Sequence, residues 1–278
     1  MEISKLFNSK KMVLSVEIFP PKSAEGLDTV YDTVKSLAVL KPDFISVTYG
    51  AGGSAKNNIT ADITSYIQDK HGIPSLSHLT CSGLTKNDLN NIIADFKSKN
   101  IKNILALRGD EKGGGGYKYA SELICALKGS NFDIAGACYP EGHIESESLD
   151  KDLDYLKLKQ DCGAKYFISQ LFFENEVFDK FLSLARAKGV TVPISAGIMP
   201  LLSKSQIDKM IYLCGASLPS PIIKLINKYG QIGDDLIKAG IDYALNQMLN
   251  LKNNNVDGIH IYTMNKPFIA HHLMQGIR

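Results

Sequence analysis

A chain of 278 residues with 44% hydrophobic and 22% charged side chains carries enough apolar material for a large core, which excludes a disordered or fibrous polypeptide. A formal net charge of +2, with Lys and Arg scattered among Asp and Glu, leaves no basic stripe for nucleic acid or an anionic lipid surface. No run approaches the ~20 apolar residues of a membrane helix, so the chain reads as a soluble protein of the small-molecule class.

The first β-rich run is "VLSVEIF" (13–19). Ser15 and Glu17 interrupt it, so it lacks the apolar block of a secretory leader. Its alternation sets Val16 and Ile18 on one face and Glu17 on the other. Two prolines follow in "FPPKSAEG", where a dinucleotide fingerprint would need Gly-x-Gly. A helix is predicted over 25–39, then a strand "FISVTY" (44–49), the loop "GAGGS" (50–54), a helix over 57–70 and a strand "PSLSHLT" (74–80). In "LTKNDLNNIIADFKSKN" (84–100) the spacing predicts a helix over 86–99. Thr85 is its N-cap, and Leu89, Ile92, Ile93 and Phe96 share one face.

Next come the strand "NILALRG" (103–109), the loop "GGGG" (113–116), a helix over 117–128 and the strand "DIAGACY" (133–139). The amphipathic "SESLDKDLDYLKLKQDCGA" (146–164) leads to the strand "YFISQLF" (166–172), a helix over 175–188, and the strands "TVPISAG" (191–197) and "GIHIYT" (258–263). Eight βα units without a Pro- or Ser-rich linker predict an α/β fold of the (β/α)8 TIM-barrel type, one domain over residues 1–278. A doubly wound open sheet is the alternative.

Barrel geometry gathers catalytic groups at the C-terminal ends of the strands, and the polar residues fall there. Glu17, Thr48-Tyr49, His78, Arg108-Gly109-Asp110, Tyr139-Pro140-Glu141, Ser169-Gln170 and Tyr262-Thr263, followed by Lys266, all sit at strand ends. Glu17, pointing into the barrel, is expected to lose solvation and to have a raised pKa, suiting a general acid. His78 alone reads as a satisfied core histidine. The glycine-rich loops lack the Lys-Ser/Thr of a phosphate loop. On 146–164, Leu149, Leu153 and Leu156 form the packing stripe, while Asp152, Tyr155 and Lys159 share another face. That face could hold a ribose hydroxyl, a flat ring and a phosphate, or be an ordinary solvated surface. Five cysteines (Cys81, Cys125, Cys138, Cys162, Cys214) at wide spacing contain no Cys-x-x-Cys pair. A disulfide framework and a structural zinc site therefore lose support, no metal is expected, and a reducing, cytoplasmic setting fits.

The segments "VEIFPPK", "FISVTYGAGG", "SHLTC", "LALRGD", "YPEGH" and "ISQLFF", in this order and spacing, resemble the methylenetetrahydrofolate reductase family from about residue 13 to Lys266. The resemblance implies a catalytic barrel binding FAD. It would reduce 5,10-methylenetetrahydrofolate to 5-methyltetrahydrofolate with NADH or NADPH, or a redox partner protein, as donor, in alternating half-reactions. It assigns Glu17 as general acid and Asp110 as a carboxylate beside the reacting rings. Thr48, Tyr49, Ala51, His78, Leu107, Arg108, Gly109, Asp110, Ala120, Tyr139 and His143 match positions lining FAD, and Asp152, Tyr155 and Lys159 join them. Gln170 and Lys266 match substrate contacts. Tyr155 and Leu158 stand where some bacterial relatives have Asn and Arg, and Lys266 replaces a common Arg, losing the bidentate fork. Over 217–232 the resemblance is poor, so no substrate-covering aromatic is assigned. A homo-oligomer is possible. The rival readings are a (β/α)8 transferase or lyase without flavin, and an adhesion ligand displaying Arg108-Gly109-Asp110.

Overall fold

The computed structural model describes residues 1–21, 23–49, 59–109 and 116–278. Eight parallel strands close into a barrel in sequential order. They are β1 (Val13–Ile18), β2 (Phe44–Val47), β3 (Ser75–Thr80), β4 (Asn103–Leu107), β5 (Asp133–Cys138), β6 (Tyr166–Leu171), β7 (Ile194–Ile198) and β8 (Gly258–Tyr262). The helices are α1 (Ser4–Ser9), α2 (Leu27–Ala38), α3 (Ile59–His71), α4 (Lys86–Ser98), α5 (Ala120–Leu127), α6 (Leu149–Cys162), α7 (Asn175–Ala187), α8 (Lys204–Cys214), α9 (Ser220–Tyr229), α10 (Asp234–Asn253) and α11 (Pro267–Ile277).

Alternation along each strand divides the core. Leu14, Val16 and Ile18 of β1 join the apolar layer under the helices, while Val13 joins a second cluster inside the barrel with Phe44, Leu76, Leu105, Ala135, Tyr166 and Ile168. Burying each such side chain contributes roughly 1.5–3 kcal/mol. The floor of the barrel is closed by α1. Its Ile3 and Leu6 join the interior cluster, Ile3 N–H donates to Asn103 Oδ1 at 2.9 Å, and Ser4 donates through N–H and hydroxyl to Asp133 at 2.7 and 2.6 Å. A plug of this kind leaves the opposite, C-terminal end as the mouth.

The expected elements recur with shifted ends, each for a local reason. Thr85 caps α4, accepting from Asp88 N–H while the Asp88 carboxylate accepts from Thr85 N–H, a reciprocal pair worth about 1 kcal/mol. β7 starts at Ile194 rather than 191 because the Gln160 side chain accepts the N–H groups of Thr191 and Val192. β4 stops at Leu107, and Gly109 takes φ +95°, a conformation open to glycine. Near the mouth, α8, α9 and α10 cover the ends of β6 and β7 with a third apolar cluster that reaches Tyr262. The poorly matched segment 217–232 thus contains the amphipathic α9, which buries Ile222.

One expectation is corrected. Cys125 of α5 and Cys162 of α6 form a disulfide with Cα atoms 4.7 Å apart. The 37-residue separation hid this because neighbouring βα units bring their helix ends side by side. Among the described residues no group of His, Cys, Asp and Glu is placed to hold a metal, and no helix is long and apolar enough to cross a membrane.

Candidate active site

The inward positions of β1 and β8 build a polar column toward the mouth. On β1 they are Ser15 and Glu17, and on β8 His260 and Tyr262, which pair in register as Ser15↔His260 and Glu17↔Tyr262. Thr263 hydroxyl donates to Glu17 O at 2.6 Å, and Asn265 exchanges two bonds with the backbone of Phe19, so the two strand ends are tied together. Glu17 retains 17% side-chain exposure. Three groups meet its Oε2: Ser46 Oγ at 3.3 Å, His260 Nε2 at 3.4 Å and His78 Nε2 at 3.4 Å.

These neighbours overturn the expected pKa. Burial works to raise the Glu17 carboxyl, but the bond from His260, the adjoining His78 and His260 imidazoles and the Ser46 hydroxyl together hold it below the usual carboxylate range. Burial pushes His78 down to about 4, so at neutral pH its ring carries no charge. The carboxylate is therefore stabilised by donors, and a proton taken up by Glu17 is readily given away.

Across the mouth, a cleft of about 850 Å³ opens between the ends of β4 and β5 and the helices α5 and α6. Leu107 and Arg108 line it from β4, Tyr139 and His143 from the β5 end, Ala120 from the start of α5, and Asp152, Tyr155 and Lys159 from α6. Eight predicted cofactor positions thus converge. The first turn of α5 lines it as well, with the Glu122 carboxylate accepting from Lys118 N–H at 2.6 Å. Lys159 Nζ donates to Ala137 O at 2.9 Å and sits 5.6 Å from the Tyr139 ring centroid. Burial holds this ammonium below its ordinary pKa, opposed by Asp152; burial likewise raises Asp152, opposed by Lys159 and by the His143 N–H that it accepts at 3.2 Å. Exposed Tyr155 and Leu158 give the α6 wall an apolar surface. Arg108 forms an ion pair with Glu145 across the opening.

The remaining predicted residues lie around this centre. Thr48 and Tyr49 follow β2, and the Thr48 carbonyl accepts from Thr60. Gly109 packs so tightly that a Cβ would meet Thr80 Cβ at 3.1 Å. Gln170, half-buried at the end of β6, folds its amide oxygen back onto Leu171 N–H at 2.9 Å. Lys266 is exposed at the start of α11. Ala51 and Asp110 fall outside the described residues. Sequence reasoning passed over Ser15, Ser46 and His260. The signal was there: in "GIHIYT" and "VLSVEIF" polar residues alternate with β-branched ones, as a polar barrel interior requires.

Comparison with known proteins agrees with the geometry. Residues 2–277 match the family described as "Methylenetetrahydrofolate reductase". The 5,10-methylenetetrahydrofolate reductase of Escherichia coli K12 is 34% identical over 256 residues, covering 91% of this chain and 86% of the relative. A probable methylenetetrahydrofolate reductase (NADH) of Oryza sativa is 32% identical over 276 residues, covering 92% of this chain and 46% of the longer relative. Among solved structures, an uncharacterised Clostridium thermocellum protein that binds two copies of 5-methyl-5,6,7,8-tetrahydrofolic acid superposes with a TM-score of 0.69. It is 15% identical and the match covers 98% of this chain and 96% of that one. At that identity the likeness speaks for the fold.

Proposed function

The chain belongs to the methylenetetrahydrofolate reductase family, and on that premise we propose that it reduces 5,10-methylenetetrahydrofolate to 5-methyltetrahydrofolate with FAD as cofactor and a nicotinamide as electron donor. The observation that carries this reading is Glu17: a carboxylate at the barrel mouth with one oxygen held by histidine and serine neighbours, on the same rim as a cleft of cofactor size.

The residues present fit FAD. Lys159 offers positive charge to phosphates, Asp152 offers an acceptor to ribose hydroxyls, and Tyr155 with Leu158 offers an apolar wall to a flat ring. When bound, the flavin supplies hydride chemistry that no side chain can. The protein's own part is proton control and positioning. Glu17 donates a proton to the bridging nitrogen of the folate, opening the five-membered ring toward a cation that can accept hydride. Asp110, assigned by motif, favours that cation electrostatically. Gln170 and Lys266 orient the pterin and the glutamate tail.

The test is spectroscopic. Purified protein supplied with FAD should become yellow, bleach on anaerobic addition of NADH or NADPH, and recover its colour with methylenetetrahydrofolate. Failure to bind FAD at all would overturn the reading.

A further inference from the structure

His260 is fully buried beneath Glu17, and its two ring nitrogens have different partners. Nδ1 lies 2.7 Å from Ser15 Oγ, while Nε2 lies 3.3 Å from Ser46 Oγ and 3.4 Å from Glu17 Oε2. Phe44 stacks on the ring with centroids 5.9 Å apart, and Tyr262 meets it edge-on at 5.4 Å, so the imidazole is held in plane and orientation. A neutral imidazole has one N–H and one acceptor nitrogen, and the partner of one settles the role of the other. A carboxylate oxygen can only accept, so an ionised Glu17 calls for a proton on Nε2. Nδ1 is then an acceptor and needs a donor.

Ser15, also fully buried, is that donor. Its hydroxyl has a second acceptor in the Ile259 carbonyl, but at 3.3 Å against 2.7 Å to Nδ1, and the shorter bond is the stronger. We propose that Ser15 is a positioning residue that locks His260 with its proton on Nε2, aimed at Glu17 Oε2, and so confines the exchangeable proton of Glu17 to Oε1. This rests on the reading of Glu17 as the acid and adds how that acid is oriented.

The titratable groups facing His260 among the described residues are Glu17 from β1, His78 from β3 and Tyr262 from its own strand; β2 contributes Ser46 and Phe44. His78 Nε2 makes no aligned hydrogen bond, so the engaged donors on Oε2 are His260 and Ser46. The proton balance is simple. Glu17 loses one proton from Oε1 to the folate nitrogen, its carboxylate keeps the same bond from Nε2–H, and His260 neither gains nor loses a proton. Fixing a histidine tautomer through its far nitrogen is a known way to align a catalytic group.

The test reads the tautomer directly, in full-length protein without cofactor. With 15N-labelled histidine, long-range proton–nitrogen spectra of the neutral ring should show His260, assigned by its loss in His260→Asn, protonated on Nε2 and bare on Nδ1. Ser15→Ala should give the Nδ1–H form or a mixture, and Ser15→Thr, which keeps the hydroxyl, should restore the original state. A wild-type His260 protonated on Nδ1, or a tautomer unchanged in Ser15→Ala, would overturn the proposal. In the loaded enzyme Ser15→Ala should slow folate reduction about tenfold in kcat with little change in KM. It should also move the alkaline fall-off to higher pH, because Glu17 loses a donor. An equal loss at every pH with the profile unmoved would mark a merely structural role and count against it. The spectra need neither FAD nor folate, so their failure is distinct from failure of the flavin test.

Discussion

Replacing Gly197 by alanine probes how the mouth is packed. Gly197 lies on β7, opposite the irregular register of β6 between Ile168 and Leu171, and its N–H donates to Ser169 Oγ at 2.9 Å. The Tyr262 ring lies across it with the hydroxyl donating to Ser169 O at 2.7 Å. A Cβ here would sit 2.2 Å from Ser169 O, 2.8 Å from Tyr262 Cε2 and 2.9 Å from Tyr262 Oη. Ordinary contact begins near 3.4 Å, so β6 and β7 must separate by roughly 1 Å, and Tyr262 must leave its acceptor. Overpacking costs about 1–3 kcal/mol and the lost buried hydrogen bond about 1 kcal/mol, giving a destabilisation of about 2–4 kcal/mol. Urea unfolding followed by far-UV circular dichroism should show the midpoint falling with the slope unchanged, and thermal unfolding a drop of about 5–10 °C. Tyr262→Phe, which loses only the hydroxyl, should cost about 1 kcal/mol. The double variant should recover little, since the closest clash is with backbone. A Gly197→Ala protein within about 0.5 kcal/mol of wild type would refute this account of the mouth.

Three further outcomes are expected. Glu17→Gln should leave reduction of bound flavin by the donor within about twofold while slowing folate reduction by at least ~10²-fold; rapid-mixing spectroscopy of the two halves checks this, and an equal loss in both would contradict the acid role. Because the buried His78 titrates near 4 when folded and near 6.5 when unfolded, the unfolded chain binds more protons between those values. Stability contributed by the neutral ring is thus complete above about pH 6.5 and declines toward pH 4, by roughly 3 kcal/mol. In His78→Asn the slope of stability against pH over that window should flatten, and an unchanged slope would exclude His78 as its source. Cleaving the Cys125–Cys162 bond, which closes a 37-residue loop, should lower stability by about 4 kcal/mol on chain-entropy grounds. Unfolding with and without reductant, with the gain of two hydrogens verified by mass, measures it; no shift in the reduced protein would refute it.

How far the site could be read in advance differs residue by residue. Glu17 was placed correctly because a strand has period two: once Val16 and Ile18 belong under the helices, Glu17 must point inward. Its acidity was misjudged because burial is legible in a sequence, whereas His78 and His260, 61 and 243 residues away, become its neighbours only when β1 pairs with β8 and the barrel closes. The same closure hid the Ser15–His260 pair. The α6 face of Asp152, Tyr155 and Lys159 was legible from helical spacing, yet whether it met open solvent or the wall of a cleft was decided by α5 and the β5 end standing opposite. The disulfide was missed for a like reason, since spacing along the chain says nothing about which helix ends adjoin.

Local patterning, then, determined the strands, the helices and the direction in which each polar side chain leaves the backbone, because these follow from period and sterics within a few residues. Electrostatic environment and partner choice were decided only in the tertiary structure. They depend on distances between strands remote in sequence, and charge and hydrogen bonding act across space rather than along the chain.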